Sequence, residues 1–195
     1  METETKKCTV FGASKPLPGS QEYQEAERLG TLLASHGISI VCGGYFGTME
    51  AVCKGARSVN NPRVSTEGVV VPSVFLDRPR DGNSYLSTCT HAQSLIERMD
   101  RMIHASTVFV ILPGLIGSLA ELVALWNEDY CKQIGGAHAK RFLVVCWRKP
   151  WEKILMDIIS TLGLDESYAP MVRFVDNAAE AANEVVDWLE RSGGL

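Results

Sequence analysis

The sequence has no Cys-x-x-Cys pair, no basic run longer than two residues and no apolar run near the roughly 18 residues that a membrane helix needs. Each absence removes a class of protein. Six cysteines (8, 42, 53, 89, 131 and 146) lie far apart with no histidine at ligand spacing, so neither a metal site nor a dense disulfide scaffold is supported. The thiols read as reduced and buried. A net charge of −4 gives no global attraction to a nucleic acid polymer or an anionic membrane. The start, Met1 to Lys7, is polar and lacks the apolar centre of a signal peptide, which points to a cytoplasmic protein. No internal repeat or low-complexity segment is visible.

What is present fits one globular domain over residues 1–195: 46% of the residues are hydrophobic and 22% charged, enough for a full core. Short apolar runs at 7–11, 38–42, 68–72, 107–112 and 141–147 read as strands. They are mostly continuous rather than alternating, which means burial on both faces. Between them, 3.6-period patterns predict helices over 20–35, 47–58, 92–105, 118–131, 151–162 and 178–191, the first carrying Tyr23, Ala26, Leu29, Leu32 and Leu33 on one stripe. This alternation predicts an α/β fold: a Rossmann-like, doubly wound parallel sheet flanked by helices. Residues 73–91 read as a long loop with a short strand around Tyr85–Cys89, and Val172–Val175 as a last edge strand.

In such a sheet a ligand sits beyond the carboxyl ends of the strands, where the strand order reverses. Three of these ends carry glycine turns: Gly12-Ala13-Ser14, Gly43-Gly44-Tyr45-Phe46-Gly47-Thr48 and Pro113-Gly114-Leu115-Ile116-Gly117-Ser118. Glycine lets backbone approach a ligand closely, and N–H groups at a helix start lack intrahelical partners, so phosphate is the expected guest. The second turn is neither a G-x-G-x-x-G fingerprint nor a Walker A motif.

Two charged residues invite chemistry, each with a plainer alternative. Ser118-Leu119-Ala120-Glu121 matches the S-x-x-E capping box, in which the glutamate only reaches back to a backbone N–H. The apolar residues after Glu121 also suit a partly desolvated carboxylate capable of proton transfer. Arg98 can lie on a solvated face beside Glu97, Asp100 and Arg101, or reach a phosphate or carboxylate with its planar fork. His36, His91, His104 and His138 show no pairing with a serine or cysteine nucleophile. His91 is the one that can face the site from its loop.

Gly12-Ala13-Ser14, Gly43-Gly44-x-x-Gly47-x-Met49, Arg98 and Pro113-Gly114-x-x-Gly117-Ser118-x-x-Glu121 together resemble the LOG (Lonely Guy) family, once taken for lysine decarboxylases. The resemblance runs from about residue 7 to 131 and includes the 15-residue spacing from Arg98 to Pro113. It implies a homodimer that cleaves a nucleoside 5′-monophosphate, of cytokinin or adenine type, to free base and ribose 5-phosphate without a cofactor or metal. By position it implies catalytic roles for Arg98 and Glu121. It implies nucleotide or phosphate contacts at Gly12, Ser14, Gly43, Gly44, Gly47, Thr48, Gly114, Gly117 and Ser118. Leu115 replaces the second glycine of the family's PGGxGTxxE motif, Ser118 its threonine, and Met99 a usual lysine. Other proteins of this superfamily look like carriers, including a molybdenum-cofactor carrier. Leu115 and Met99 favour that alternative, whereas Arg98 with Glu121 favours the enzyme.

Overall fold

The computed structural model describes residues 6–134, 142–164 and 172–192. His138 and the first residue of the strand expected over 141–147 lie outside the described residues. Seven strands form one parallel sheet: β1 (Lys7–Phe11), β2 (Ser39–Cys42), β3 (Thr66–Val70), β4 (Thr88–His91), β5 (Val108–Ile111), β6 (Leu143–Trp147) and β7 (Val172–Val175). Among the described residues six helices flank it: α1 (Gln21–Ser35), α2 (Thr48–Ser58), α3 (Leu95–His104), α4 (Ile116–Ile134), α5 (Arg148–Leu162) and α6 (Ala178–Ser192). The expected doubly wound sheet is therefore present.

The spatial order is β4-β3-β2-β1-β5-β6-β7. The chain builds outward from β1 to β4, then crosses back to lay β5 on the other side of β1. The order reverses between these two central strands, and the crevice beyond their carboxyl ends is the ligand position of an open α/β sheet. Pairing continues to the very end of the strands, where the Leu112 N–H donates to the Phe11 carbonyl at 2.9 Å. The indole N–H of buried Trp151 on α5 donates to the Leu112 carbonyl at 3.0 Å, so α5 bolts down the residue before the Pro113–Gly114 turn.

Burial explains the strand sequences. β2, β5 and β6 are buried at every position, as their continuous apolar runs require, whereas the edge strand β4 (Thr-Cys-Thr-His) is only half-buried. β3 starts earlier than hydrophobicity alone indicates because Thr66 is buried through its hydroxyl, which donates to the Tyr85 carbonyl at 2.7 Å, and Glu67 pairs with Lys7. On one face α1 lies against α2 and α6. Gly30 and Gly55 permit the α1–α2 approach, because a Cβ at either would run into the carbonyl of Val52 or Glu27 on the opposite helix. All six cysteines are free; 8, 42, 53 and 146 are buried, but Cys89 is partly exposed and Cys131 exposed, correcting the uniform burial expected for them.

Candidate functional site

The capping-box pattern occurs twice, with opposite outcomes. Ser94 caps α3, its hydroxyl accepting from the Glu97 N–H at 3.1 Å while the Glu97 carboxylate accepts from the Gln93 N–H at 2.6 Å. Ser118 and Glu121 make no such box. Helix α4 starts two residues before Ser118, at Ile116, with the Leu119 N–H already bonded to the Leu115 carbonyl, so Glu121 falls in the second turn rather than the first. The two extra residues of helix carry no sequence mark because Leu115 and Ile116 are apolar yet face solvent, 60% and 78% exposed.

Freed from capping, Glu121 points inward and is only 8% exposed. Its Oε1 lies 3.6 Å from Nη1 of Arg98, an ion-pair distance too long for a good hydrogen bond. Burial pushes the Glu121 carboxyl up to about 7, and the Arg98 charge only partly counteracts it. Arg98 is held by backbone: its Nε donates to the Val69 carbonyl at 2.8 Å and its Nη2 to the Gly43 carbonyl at 3.1 Å. The solvated alternative falls to its neighbours instead, with Arg101 pairing with Glu97 and His104 with Asp100. A carboxylate near neutrality beside a fixed guanidinium can accept a proton, or stabilise a cation forming next to it.

The three glycine turns differ in what they offer. The second is filled by the protein itself: Gly43, Gly44, Gly47 and Thr48 are buried, and both the N–H and the hydroxyl of Thr48 bond to the Ala13 carbonyl, at 2.9 and 3.1 Å. Gly47, the residue before α2, has φ +70°, and a Cβ there would press on the backbone of Ser14. Thr48 thus ties the α2 start to the first turn, and Gly12 leaves room for its hydroxyl. The third turn is open, with Gly117 exposed and nothing within 4 Å of its Cβ position. Gly114 is needed because a Cβ would collide with the side chain of buried Ser118. Leu115 adopts no positive φ and turns its side chain outward, so the Cβ that replaces the family's glycine costs no strain.

A further participant escaped the sequence reading. The segment between β3 and β4 folds back over the second turn, where the Asn83 side chain donates to the carbonyls of Gly44 and Tyr45 at 3.1 and 3.0 Å. The same segment carries Arg78, whose Nη2 donates to the Ser14 hydroxyl at 3.2 Å and whose guanidinium lies 5.1 and 4.6 Å from the ring centres of Tyr45 and Phe75. No periodicity marks an arginine in an irregular segment; only its tertiary contacts do. His91 is turned to Asp81 at 2.9 Å, and His36 bonds to a backbone carbonyl of its own helix.

The family model described as SLOG cluster4 matches residues 5–142, a span that holds all three turns, Arg98 and Glu121. The chain belongs to the SLOG cluster4 family. The LOG-like resemblance in its motifs is thereby borne out. This SLOG cluster4 chain is also similar to a cytokinin riboside 5′-monophosphate phosphoribohydrolase of Mycobacterium tuberculosis, 30% identical over 146 residues that span 73% of this chain and 70% of that one. Among solved structures it resembles the protein TM1055, with a TM-score of 0.71 at 22% identity over 94% of this chain and 99% of the other. The Moco carrier protein from Chlamydomonas reinhardtii gives a TM-score of 0.69 at 18% identity, over 96% and 99% of the two chains. At these identities both structures speak for the fold alone.

Proposed function

We propose that this protein is a nucleoside 5′-monophosphate phosphoribohydrolase, releasing a free base of cytokinin or adenine type and ribose 5-phosphate. The observation that carries this reading is the buried Glu121 carboxylate, held near neutrality 3.6 Å from Arg98 beside the open third turn. The name of the mycobacterial relative supports it. In the reaction the bond between C1′ and the base nitrogen breaks, its electron pair leaves with the base, and positive charge builds on the sugar. The ionised carboxylate stabilises that charge and takes a proton from the attacking water, whose oxygen bonds to C1′; the departing base is protonated in turn. The Arg98 charge favours the ionised form of the carboxylate. The 5′-phosphate is met by the N–H groups at the start of α4 and by the Ser14 turn. Thr48, whose N–H and hydroxyl are both spent on the Ala13 carbonyl, shapes this floor with Gly44, whose N–H is turned to the Cys42 sulfur, while Gly12, Gly43 and Gly47 bring backbone close to the ligand.

The exposed apolar residues Leu95 and Ile96 on α3 and Ile116 and Val123 on α4 suit a homodimer interface formed by these helices. A twofold mass by light scattering that Ile96→Glu abolishes is the expected result. A carrier with the same fold is the second reading, favoured by Met99, which stands in place of the family's lysine next to Arg98. Incubation with a panel of nucleoside monophosphates separates the two. The hydrolase yields base and ribose 5-phosphate in equal amounts; saturable binding without base release from any of them favours the carrier.

A further inference from the structure

We propose that Arg78, on the segment that covers the second turn, is the cation that recognises the phosphate of the ligand, and that Ser14 is its polar partner at the crevice. The inference rests on the nucleotide reading of the site and adds to it the residue that supplies positive charge. A monophosphate carries close to two negative charges at neutral pH, and helix-start N–H groups bring only partial charge to it. Arg98 is already committed to two carbonyls and to Glu121. Arg78 is not. Among the described residues no carboxylate lies within ion-pair distance of it, and its polar contact is a neutral hydroxyl in the turn after β1.

Two features prepare it to receive an anion. The rings of Tyr45 and Phe75 support the guanidinium at 5.1 and 4.6 Å without neutralising it, so its N–H groups keep their capacity for bidentate bonding. The platform is itself rigid: Tyr45 is buried, and its hydroxyl accepts from the Val71 N–H at 2.8 Å. The Ser14 contact then sets the guanidinium beside the first turn, which adjoins the third across the β1–β5 pair. Phosphate oxygens placed between Ser14 and the α4 start complete this arrangement, so Arg78 distinguishes nucleotide from nucleoside.

The test is calorimetric titration of the full chain, wild type, Arg78→Gln and Arg78→Lys, with AMP, adenosine and ribose 5-phosphate. Loss of a charge-assisted contact predicts AMP and ribose 5-phosphate binding roughly tenfold to a hundredfold weaker in Arg78→Gln. Arg78→Lys recovers part of that loss, adenosine binding is unchanged in both variants, and the salt dependence of AMP binding flattens in Arg78→Gln. A structural role would weaken adenosine equally. Equal AMP affinity in wild type and Arg78→Gln overturns the inference while leaving the nucleotide reading intact. Wild-type binding of ribose 5-phosphate but not AMP, lost in Arg78→Gln, upholds the phosphate clamp and removes the nucleotide reading; no binding of any probe removes both.

Discussion

Replacing Glu121 by glutamine removes the proposed catalytic group and, at neutral to alkaline pH, makes the protein more stable. The reason is the burial of a carboxylate. Its pKa rises from the ordinary 4.5 to about 7, so the fold favours the protonated form. The stability this group contributes is fully present below pH 4.5 and is lost as pH rises through about 7. At about 1.4 kcal/mol for each pH unit of that gap, keeping an ionised Glu121 in place costs the wild type about 3 kcal/mol at pH 8. Glutamine has nearly the shape of the protonated acid and never ionises. The variant's advantage should therefore be small at pH 4.5 and grow to about 3 kcal/mol at pH 8, which for a chain of this length is a gain in Tm of roughly 6 to 12 °C. Urea denaturation of both proteins at the two pH values measures it, and any fixed difference between the side chains cancels in the comparison. An offset that stays constant with pH, or turns against glutamine as pH rises, refutes a buried carboxylate held near neutrality.

The same group sets the expected pH dependence of turnover: kcat/KM should rise with pH and level off above about 7, the pH at which Glu121 ionises. Because the Arg98 charge lowers that pKa, Arg98→Gln should move the rising limb upward by about one pH unit or more; an unmoved limb assigns it to another group. Gly114→Ala should destabilise by about 1 to 3 kcal/mol, since its Cβ would lie 2.6 Å from that of Ser118. Gly117→Ala, with open space around it, should leave stability level or raise it by about 0.5 kcal/mol; thermal melts of the pair check the contrast. Trp151→Phe leaves the Leu112 carbonyl without its buried indole donor and should cost about 1 to 3 kcal/mol, read by urea denaturation.

The central strands were legible because burial on both faces writes itself as unbroken apolar sequence, as in Val108–Ile111 and Leu143–Trp147. β4 was displaced in the reading by a few residues because an edge strand such as Thr88–His91 carries no such mark. The start of α4 was misplaced for a related reason: Leu115 and Ile116 read as part of the apolar turn, although they are exposed. That error sustained the capping-box alternative for Glu121, which the structure removes by putting the glutamate one turn further along the helix. Spacing alone could not show that Arg98 turns inward while Arg101, three residues on, pairs with Glu97 at the surface. Arg78 was beyond reach, since its place depends on how the segment before β4 folds back onto Tyr45 and Ser14.

The proposed hydrolase depends on Glu121 performing chemistry on a nucleotide that the surrounding turns bind. It is tested most directly by giving the wild type and Glu121→Gln the preferred monophosphate of the panel, and measuring free base by chromatography alongside nucleotide affinity by calorimetry. The wild type should release base, whereas the variant should bind the same nucleotide within about threefold of the wild-type affinity and release none. Base release at equal rates from both proteins would contradict it.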